Sequence, residues 1–366
     1  MRITDIEAIP VAIPFEHDGP PTGFGGTTWH QLAYLLVKVS TEDGLTGWGE
    51  AFGYNIIPAT TAALIQNVRP LAMGRDARDI AGLMESLKKP LHLFGRGGPV
   101  QYALSGLDIA LWDLAGKRAG MPLAQLLGGA SRSEVVAYNS LLRLNDPQTV
   151  ARACGISLER GFRRIKLHEV TVEAVAAARQ AIGPDVDLMV DVNCAWPAAE
   201  AVEMARKLQP YRLKWLEEPV WPPEDLDGLM RIRAATDVPI AVGENIANVW
   251  QFRPAAACEA IDYLQPSVTK VGGITEFCQV AMLAETAGKR LAPHSPYFGP
   301  GLLATLQLAS RYPALIGGIE CFGVRLENSL FGDYGVARRD GTLAVPTGPG
   351  LGCDPDPALV ERYRTA

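Results

Sequence analysis

Three acidic residues each stand at the end of a short run of apolar residues. They are Asp191, Glu217 and Glu244, and about 26 residues separate each one from the next. That spacing is typical of successive strand ends in a repeated β/α unit, so the three side chains should meet at one edge. Converging carboxylates need a hard divalent cation, and Mg²⁺ prefers oxygen ligands. The sequence therefore predicts a Mg²⁺ site built from these three acids.

Basic side chains end two other apolar runs. Lys166 and His168 are two residues apart, so on a strand their side chains point the same way. His294 ends a later run and should face them across the same site. Either side of a bound carboxylic acid would then carry a group able to exchange a proton. This arrangement suits removal of the proton α to a carboxylate, with a metal ion stabilising the resulting enediolate.

A repeated pattern of strands and helices must position these groups. From about residue 135, short apolar runs alternate with helical patterns, and their ends recur about every 23–28 residues. The predicted strand ends are Ser140, His168, Asn193, Glu217, Glu244, Ser267, His294 and Glu320. Eight even repeats predict an α/β fold with a (β/α)8-type TIM barrel over residues 126–325. An open doubly wound sheet is the alternative, but no Gly-x-Gly-x-x-Gly motif follows a first strand.

The first 125 residues have a different pattern, which predicts an α+β capping domain. Strands are expected at 3–14, 31–39 and 45–51, and helices at about 59–73, 77–90 and 98–119. Loops are expected at 15–29 and 52–58. The turn-rich segment from about 326 to 366 is expected to complete this domain.

Bulk properties exclude several classes of partner. The chain has 366 residues, a net charge of −6 and no basic block, which argues against nucleic acid. No apolar run approaches the roughly 20 residues of a membrane span, and the first residues show no signal-peptide core. Six scattered cysteines without a Cys-x-x-Cys pair predict reduced, mostly buried thiols. We expect a cytoplasmic enzyme with a small-molecule carboxylate substrate.

Taken together, the motifs resemble those of the enolase superfamily, specifically its mandelate racemase-like branch. The motifs are Lys166-x-His168, Asp191-x-Asn193, Trp215-Leu-Glu217-Glu-Pro219, Gly243-Glu244-Asn245, Lys270-x-Gly272-Gly273, Pro293-His294 and Ile319-Glu320. The resemblance covers nearly the whole chain. It implies Mg²⁺ on the three acids, cap loops that cover the substrate, Glu320 beside the substrate carboxylate as a further catalytic residue, and a homo-oligomer, either a dimer or an octamer.

Two departures from that branch bear on the reaction. His168 replaces a second lysine, and Ser267 replaces the aspartate that pairs with the seventh-strand histidine. An imidazole without a carboxylate partner is a poorer base, so we expect His294 to act as a general acid. Lys166 or His168 would take the α-proton. This division of roles favours β-elimination of water, as in an acid-sugar dehydratase, over a racemase or epimerase.

Two other functions rank lower. A cycloisomerase normally has a lysine where Ser267 stands, and a non-catalytic binding protein has no reason to keep three metal acids. The candidate substrate contacts are Asn193, Ser140, Lys270, Trp29 and Tyr54. The loop 15–29 has no Lys or Arg, which favours a monoacid substrate unless Arg96 or Arg325 binds a second carboxylate.

Overall fold

The structure is a computed structural model that describes residues 1–23, 27–129 and 132–365. Residues 24–26, within the predicted loop 15–29, lie outside the described part. The capping domain contains β1 (Ile3–His17), β2 (Gln31–Thr41), β3 (Thr46–Ala51), α1 (Ile57–Ala62), α2 (Arg69–Ala72), α3 (Ile80–Leu91), α4 (Pro99–Ala119) and α5 (Leu123–Leu126). The predicted helix 59–73 is divided, because a π-helical segment at 63–68 separates α1 from α2.

The core of the cap is the contact between α4 and the β1–β2–β3 antiparallel sheet. Most of α4 is buried, and it ends at Gly120, whose left-handed backbone (φ 65°) closes the helix. Gly49 on β3 allows a close approach, since a Cβ there would lie 1.9 Å from the carbonyl oxygen of Gly106. The helix therefore rests directly on the sheet.

The second domain is a barrel of parallel strands surrounded by helices. Its elements are β4 (Glu134–Ser140), α6 (Pro147–Glu159), β5 (Arg164–Leu167), α7 (Val172–Ile182), β6 (Asp187–Asp191), β7 (Trp196–Pro197), α8 (Ala198–Leu208), β8 (Trp215–Glu217), β9 (Val220–Trp221), α9 (Leu226–Ala235), β10 (Ile240–Val242), α10 (Val249–Ala257), β11 (Tyr263–Leu264), α11 (Gly273–Thr286), β12 (Arg290–Leu291), α12 (Pro300–Arg311) and β13 (Ile319–Phe322).

The barrel strands follow the order β13-β4-β5-β6-β8-β10-β11-β12, with every neighbouring pair parallel. A parallel bridge between Leu291 and Ile316 joins the two ends of this order. The predicted barrel with an N-terminal cap is confirmed. The small β7–β9 pair lies outside it.

Side chains fill the inside of the barrel in layers. Tyr138, Met189, Trp215 and Ala241 form one apolar layer with Ala292. Two residues further along β6 and β8, on the same side, stand Asp191 and Glu217. The acids therefore sit on an apolar floor that excludes water from below.

The C-terminal segment contacts both domains. It contains β14 (Val324–Leu326), β15 (Thr342–Ala344) and α13 (Pro357–Tyr363). β14 pairs with β1 of the cap, whereas β15 pairs antiparallel with barrel strand β4. The segment thus extends the cap sheet at one point and the barrel sheet at another.

Two of the bulk expectations can be compared with the fold. All six cysteines are free thiols, as expected, but only Cys154 is buried and the other five are partly exposed. The six thiols are therefore partly to fully buried, and none of them is fully exposed. Within the described residues, no helix has the length and apolar character needed to cross a membrane.

Buried carboxyl groups join the cap to the barrel. Glu50, at the end of β3, accepts a hydrogen bond from the Gly301 amide at the start of α12 (2.9 Å). Asp108 on α4 accepts one from the Thr275 amide at the start of α11 (3.0 Å). Free amides at helix starts are suitable partners for such acids. Burial nevertheless raises the pKa of Glu50 to about 8, although the Gly301 hydrogen bond lowers it.

This raised pKa predicts a pH-dependent stability. A carboxyl whose pKa is higher in the folded chain binds a proton on folding, so its stabilising effect is present below the ordinary glutamate pKa of 4.5 and is lost as the pH rises toward about 8. At pH 8, Glu50→Gln should therefore have a free energy of unfolding roughly 2–4 kcal/mol larger than that of wild type, and it should unfold at a higher temperature. Near pH 5 the two proteins should have similar stability. Glu85→Gln, at an exposed position on α3, is the control. A lower unfolding temperature for Glu50→Gln at pH 8 would mean that the helix start holds Glu50 ionised.

Candidate active site

The three predicted metal acids converge at the mouth of the barrel. Asp191 and Glu217 are the last residues of β6 and β8, and Glu244 follows β10. One carboxylate oxygen of each lies within 4.8 Å of the others. All the donors are carboxylate oxygens, the donor type that Mg²⁺ prefers, so the residues fit such an ion. Asp191, Glu217 and Glu244 would hold it.

Lys166 supplies the positive charge at this cluster. Its Nζ lies 2.9 Å from Glu217, 3.1 Å from Glu320 and 3.3 Å from Asp191. Burial alone would lower the pKa of the lysine, but these carboxylates raise it well above the ordinary value. Burial and the neighbouring Asp191 raise the pKa of Glu217 well above its usual range. One ammonium therefore does not compensate the acids fully.

Unusual backbone conformations surround the cluster. Asn193 (φ 47°) and Glu218 (φ 41°) both adopt the left-handed region, which non-glycine residues rarely occupy. Such strain is concentrated at functional sites. At Glu218 it turns the side chain away from Glu217, toward the Nδ2 of Asn245 at 2.7 Å. Burial, with the charge of Glu244, raises the pKa of Glu218 to about 7.

His168 lies on the cavity side of the acids. Its Nδ1 lies 2.5 Å from the carbonyl oxygen of Leu141, which can only accept, so Nδ1 carries a proton. Its Nε2 lies 3.3 Å from Asp191. A neutral ring has one N–H, and the shorter contact at Nδ1 takes it, so Nε2 then holds the lone pair although it faces Asp191. His168 lines the cavity, whereas Lys166 lies beneath the cavity wall.

His294 stands at the Glu244 side of the cluster, with Nε2 3.2 Å from Glu244 and Nδ1 3.3 Å from the hydroxyl of Tyr297. Tyr297 in turn shares a hydrogen bond with Ser267. The sequence leaves the orientation of His294 open and does not identify Tyr297 as its partner. The only available signal was the position of Tyr297 three residues after His294. Burial lowers the pKa of His294, although Glu244 and Glu320 oppose that shift.

Glu320 and Ser140 occupy the other side of the cluster. Glu320 accepts a hydrogen bond from the Ser295 amide at 2.9 Å. Burial opposes ionisation, but the Lys166 ammonium lowers the pKa of Glu320 to about 2. Ser140, a predicted substrate contact, is fully buried beside Glu320 and does not line the cavity. A direct substrate contact by Ser140 therefore stays a prediction, and its buried position beside Glu320 is the position of a residue that supports that acid.

A cavity of about 660 Å³ opens above the acids. The predicted contacts Asn193, Lys270, Trp29 and Tyr54 all line it. Trp29 and Tyr54 belong to the cap loops, and their rings are 4.8 Å apart. Lys270 lies over the Phe52 ring at 4.7 Å. The volume suits a small molecule rather than a polymer.

Arg143 also lines the cavity, although the sequence did not predict it as a site residue. It stands three residues beyond Ser140, in the loop after the first barrel strand. That position was the only signal, since loops at this end of a barrel carry functional residues. The alternatives considered for a second carboxylate do not line the cavity: Arg325 pairs with Asp18, and Arg96 lies elsewhere on the cap.

Comparison with known families matches both halves of the chain. Residues 7–128 match the family described as the N-terminal domain of mandelate racemase and muconate lactonizing enzyme. Residues 148–359 match the family described as Enolase C-terminal domain-like. The two matches follow the cap and the barrel.

Individual relatives have related activities. The D-galactarolactone cycloisomerase of Agrobacterium fabrum is 33% identical over 352 residues, which cover 91% of each chain. The L-talarate/galactarate dehydratase of Salmonella typhimurium is 33% identical over 330 residues, covering 88% of this chain and 80% of the relative. A crystal structure of a racemase from Streptomyces coelicolor with bound magnesium has a TM-score of 0.87 at 29% identity, covering 99% of this chain and 100% of the other.

The carboxylate cluster predicts how metal binding responds to charge. Glu217→Gln removes one charged ligand and should weaken Mg²⁺ binding at least about 100-fold in calorimetry. Mg²⁺ should raise the unfolding temperature of wild type but not of this variant. Glu218→Gln is a matched control at the next residue, because its side chain points to Asn245, and it should still bind Mg²⁺. Equal losses in both variants would place the ion elsewhere.

Proposed function

Because the chain belongs to the mandelate racemase/muconate lactonizing enzyme family of the enolase superfamily, we propose that it is a Mg²⁺-dependent acid-sugar dehydratase. The reaction would remove the proton α to a carboxylate and then eliminate water from the β-carbon. One observation carries the proposal: His168 and His294 approach the carboxylate cluster from two sides, through Asp191 and Glu244 respectively. One histidine can act as base and the other as acid.

We assign the base to His168. The hydrogen bond from its Nδ1 to the Leu141 carbonyl fixes the tautomer, so the lone pair of the neutral ring is on Nε2. That nitrogen faces the acids at the cavity wall. Lys166 is a poorer candidate, since its ammonium is held by Glu217, Asp191 and Glu320 and has a raised pKa.

We assign the acid to His294, and the reason is again the tautomer. Glu244 can only accept a hydrogen bond when ionised, so the proton of the neutral ring lies on Nε2. Tyr297 then donates to Nδ1, and Ser267 donates to Tyr297. An aspartate partner would instead accept from Nδ1 and leave the lone pair on Nε2. The hydroxyl partner thus makes the site-facing nitrogen a proton donor.

The remaining residues position the charged groups of the site. Lys166 fixes Asp191, Glu217 and Glu320 in one cluster. Mg²⁺, when bound by the three acids, supplies a positive charge that stabilises the enediolate and lowers the barrier to its formation. The aromatic cap loops cover the cavity and limit the access of water.

A cycloisomerase is the second candidate, and the relative from Agrobacterium fabrum favours it. The same groups would serve if the leaving oxygen belonged to a ring, because elimination would then open the ring without loss of water. The sequence alone ranks a cycloisomerase below a dehydratase, because Ser267 stands where a cycloisomerase normally has a lysine. The similarity to this relative reduces the weight of that difference. A racemase needs a base on each side, which the tautomer of His294 disfavours.

The division of roles can be tested with an acid-sugar panel in D₂O containing Mg²⁺. Wild type should give a 2-keto-3-deoxy product detected by carbonyl trapping and proton NMR. His294→Asn should lose elimination by about 10²–10⁴-fold but still exchange the α-proton for deuterium. His168→Asn should lose both processes by a similar factor. Calorimetry with Mg²⁺ should show that both variants keep the metal site.

Other outcomes would change the assignment. Exchange that survives in His168→Asn but not in Lys166→Met would make Lys166 the base. Inversion at the α-carbon without loss of water would show a racemase. An isomeric ring-opened product would show the cycloisomerase. No reaction and no exchange across aldonic, aldaric and lactone substrates would end the proposal.

The Tyr297 hydroxyl can be tested separately. Tyr297→Phe keeps the ring but removes the donor to His294 Nδ1, so elimination should slow about tenfold or more while α-proton exchange persists. Ser267→Ala, which leaves Tyr297 in place, should have a smaller effect. Equal losses of exchange and elimination in Tyr297→Phe would indicate a general disturbance of the site instead of a role at His294.

A further inference from the structure

The guanidinium of Arg143 is held in a fixed position on the cavity wall. Its Nε donates to the carbonyl oxygen of His168 at 2.6 Å, and Nη2 donates to Oδ1 of Asn193 at 3.4 Å. Its own carbonyl oxygen accepts from Thr22 of the cap loop at 2.9 Å. The residues at the ends of two barrel strands therefore fix this side chain, and the cap fixes its backbone.

These contacts do not neutralise Arg143. Within the described residues, no carboxylate lies within the 4.0 Å limit of an ion pair with its guanidinium. The nearby acid, Glu169, accepts from the amides of Leu144 and Asn145 at 2.6 and 3.0 Å. The two bonds of Arg143 go to neutral oxygens and use two of its five N–H groups. A half-buried guanidinium with free donors is suited to bind an anion from the cavity.

Arg143 lies beside the carboxylate cluster but not in it. Asn193 connects the two, because its amide donates to Asp191 at 2.9 Å while its side chain accepts from Arg143. A substrate carboxylate at the metal acids would thus leave Arg143 within reach of the other end of a short chain. Lys270 is the other cation on the cavity wall without a carboxylate partner in the described structure. It donates to Asn245, which is next to Glu244. Its position is on the His294 side.

We infer that Arg143 binds a second carboxylate at the far end of the substrate, so that the enzyme prefers aldaric acids to aldonic acids. This inference rests on the proposed function and names its substrate class. It replaces the preference for monoacids that the sequence of loop 15–29 suggested. A planar guanidinium can bind a carboxylate through two parallel hydrogen bonds, which a hydroxyl at the same place cannot reproduce.

The test compares each aldaric acid with the aldonic acid of the same configuration, using protein loaded with Mg²⁺. Wild type should show a kcat/KM at least about tenfold higher for the diacid. Arg143→Gln should lose this preference, mainly through a higher KM for the diacid, and Arg143→Lys should recover part of it. Arg325→Gln, outside the cavity, should keep the wild-type ratio. Circular dichroism confirms that each variant is folded.

A second measurement separates this inference from the proposed reaction. A saturated dicarboxylate should inhibit or bind more tightly than the monocarboxylate of equal length, and only in proteins that retain Arg143. Elimination from aldonic acids with no preference for diacids would overturn the role of Arg143 and leave the dehydratase intact. Preferential binding of diacids without any elimination would support the role of Arg143 and contradict the dehydratase. Loss of the preference in Lys270→Met but not in Arg143→Gln would move the second carboxylate to Lys270. If wild type does not discriminate between diacids and monoacids in turnover or in binding, the inference is overturned.

Discussion

The whole site depends on an excess of negative charge buried at the mouth of the barrel. Asp191, Glu217 and Glu320 are almost fully buried, Glu244 is close to them, and Lys166 is the one ammonium among them in the described part of the chain. Desolvation of several carboxylates is costly unless cations compensate it. The raised pKa of Glu217 expresses that cost. The arrangement is therefore suited to a divalent cation and to a substrate whose charge changes during the reaction.

The fold maintains this charge through the alternation of side chains along the strands. Trp215 points into the apolar layer, and Glu217, two residues later, points into the charged one. The indole Nε1 of Trp215 also donates to Glu217 at 2.8 Å, so the floor orients the acid above it. The same step of two residues separates Met189 from Asp191. A shift of one residue in either strand would turn these inward-pointing side chains to the outside of the barrel.

Sequence patterns predict those features of the fold and the site that depend on the alternation of side chains along the strands. The barrel and the meeting of Asp191, Glu217 and Glu244 follow from apolar runs of regular spacing that end in acids, and the cap follows from its own pattern of strands and helices. Contacts made by loops could not be predicted in the same way. Arg143 points into the cavity because His168, Asn193 and Thr22 hold it, and these partners are distant in sequence. The depth of Ser140 depends on where β4 ends relative to its neighbours, which no local pattern determines.

The replacement of an aspartate by Ser267 shows why residue type alone does not assign a catalytic role. Read from the sequence, Ser267 only removes a carboxylate partner from His294. In the structure, the space is used by Tyr297, whose hydroxyl connects Ser267 with His294. A carboxylate can only accept a hydrogen bond, whereas a hydroxyl can donate one, so the change allows the proton of the ring to move to the other nitrogen. On the other side of the site, the carbonyl oxygen of Leu141 accepts a hydrogen bond from Nδ1 of His168, which favours the reverse tautomer of that ring. In the proposed reaction, the two histidines take opposite roles because one ring has an acceptor behind it and the other has a hydroxyl that can donate.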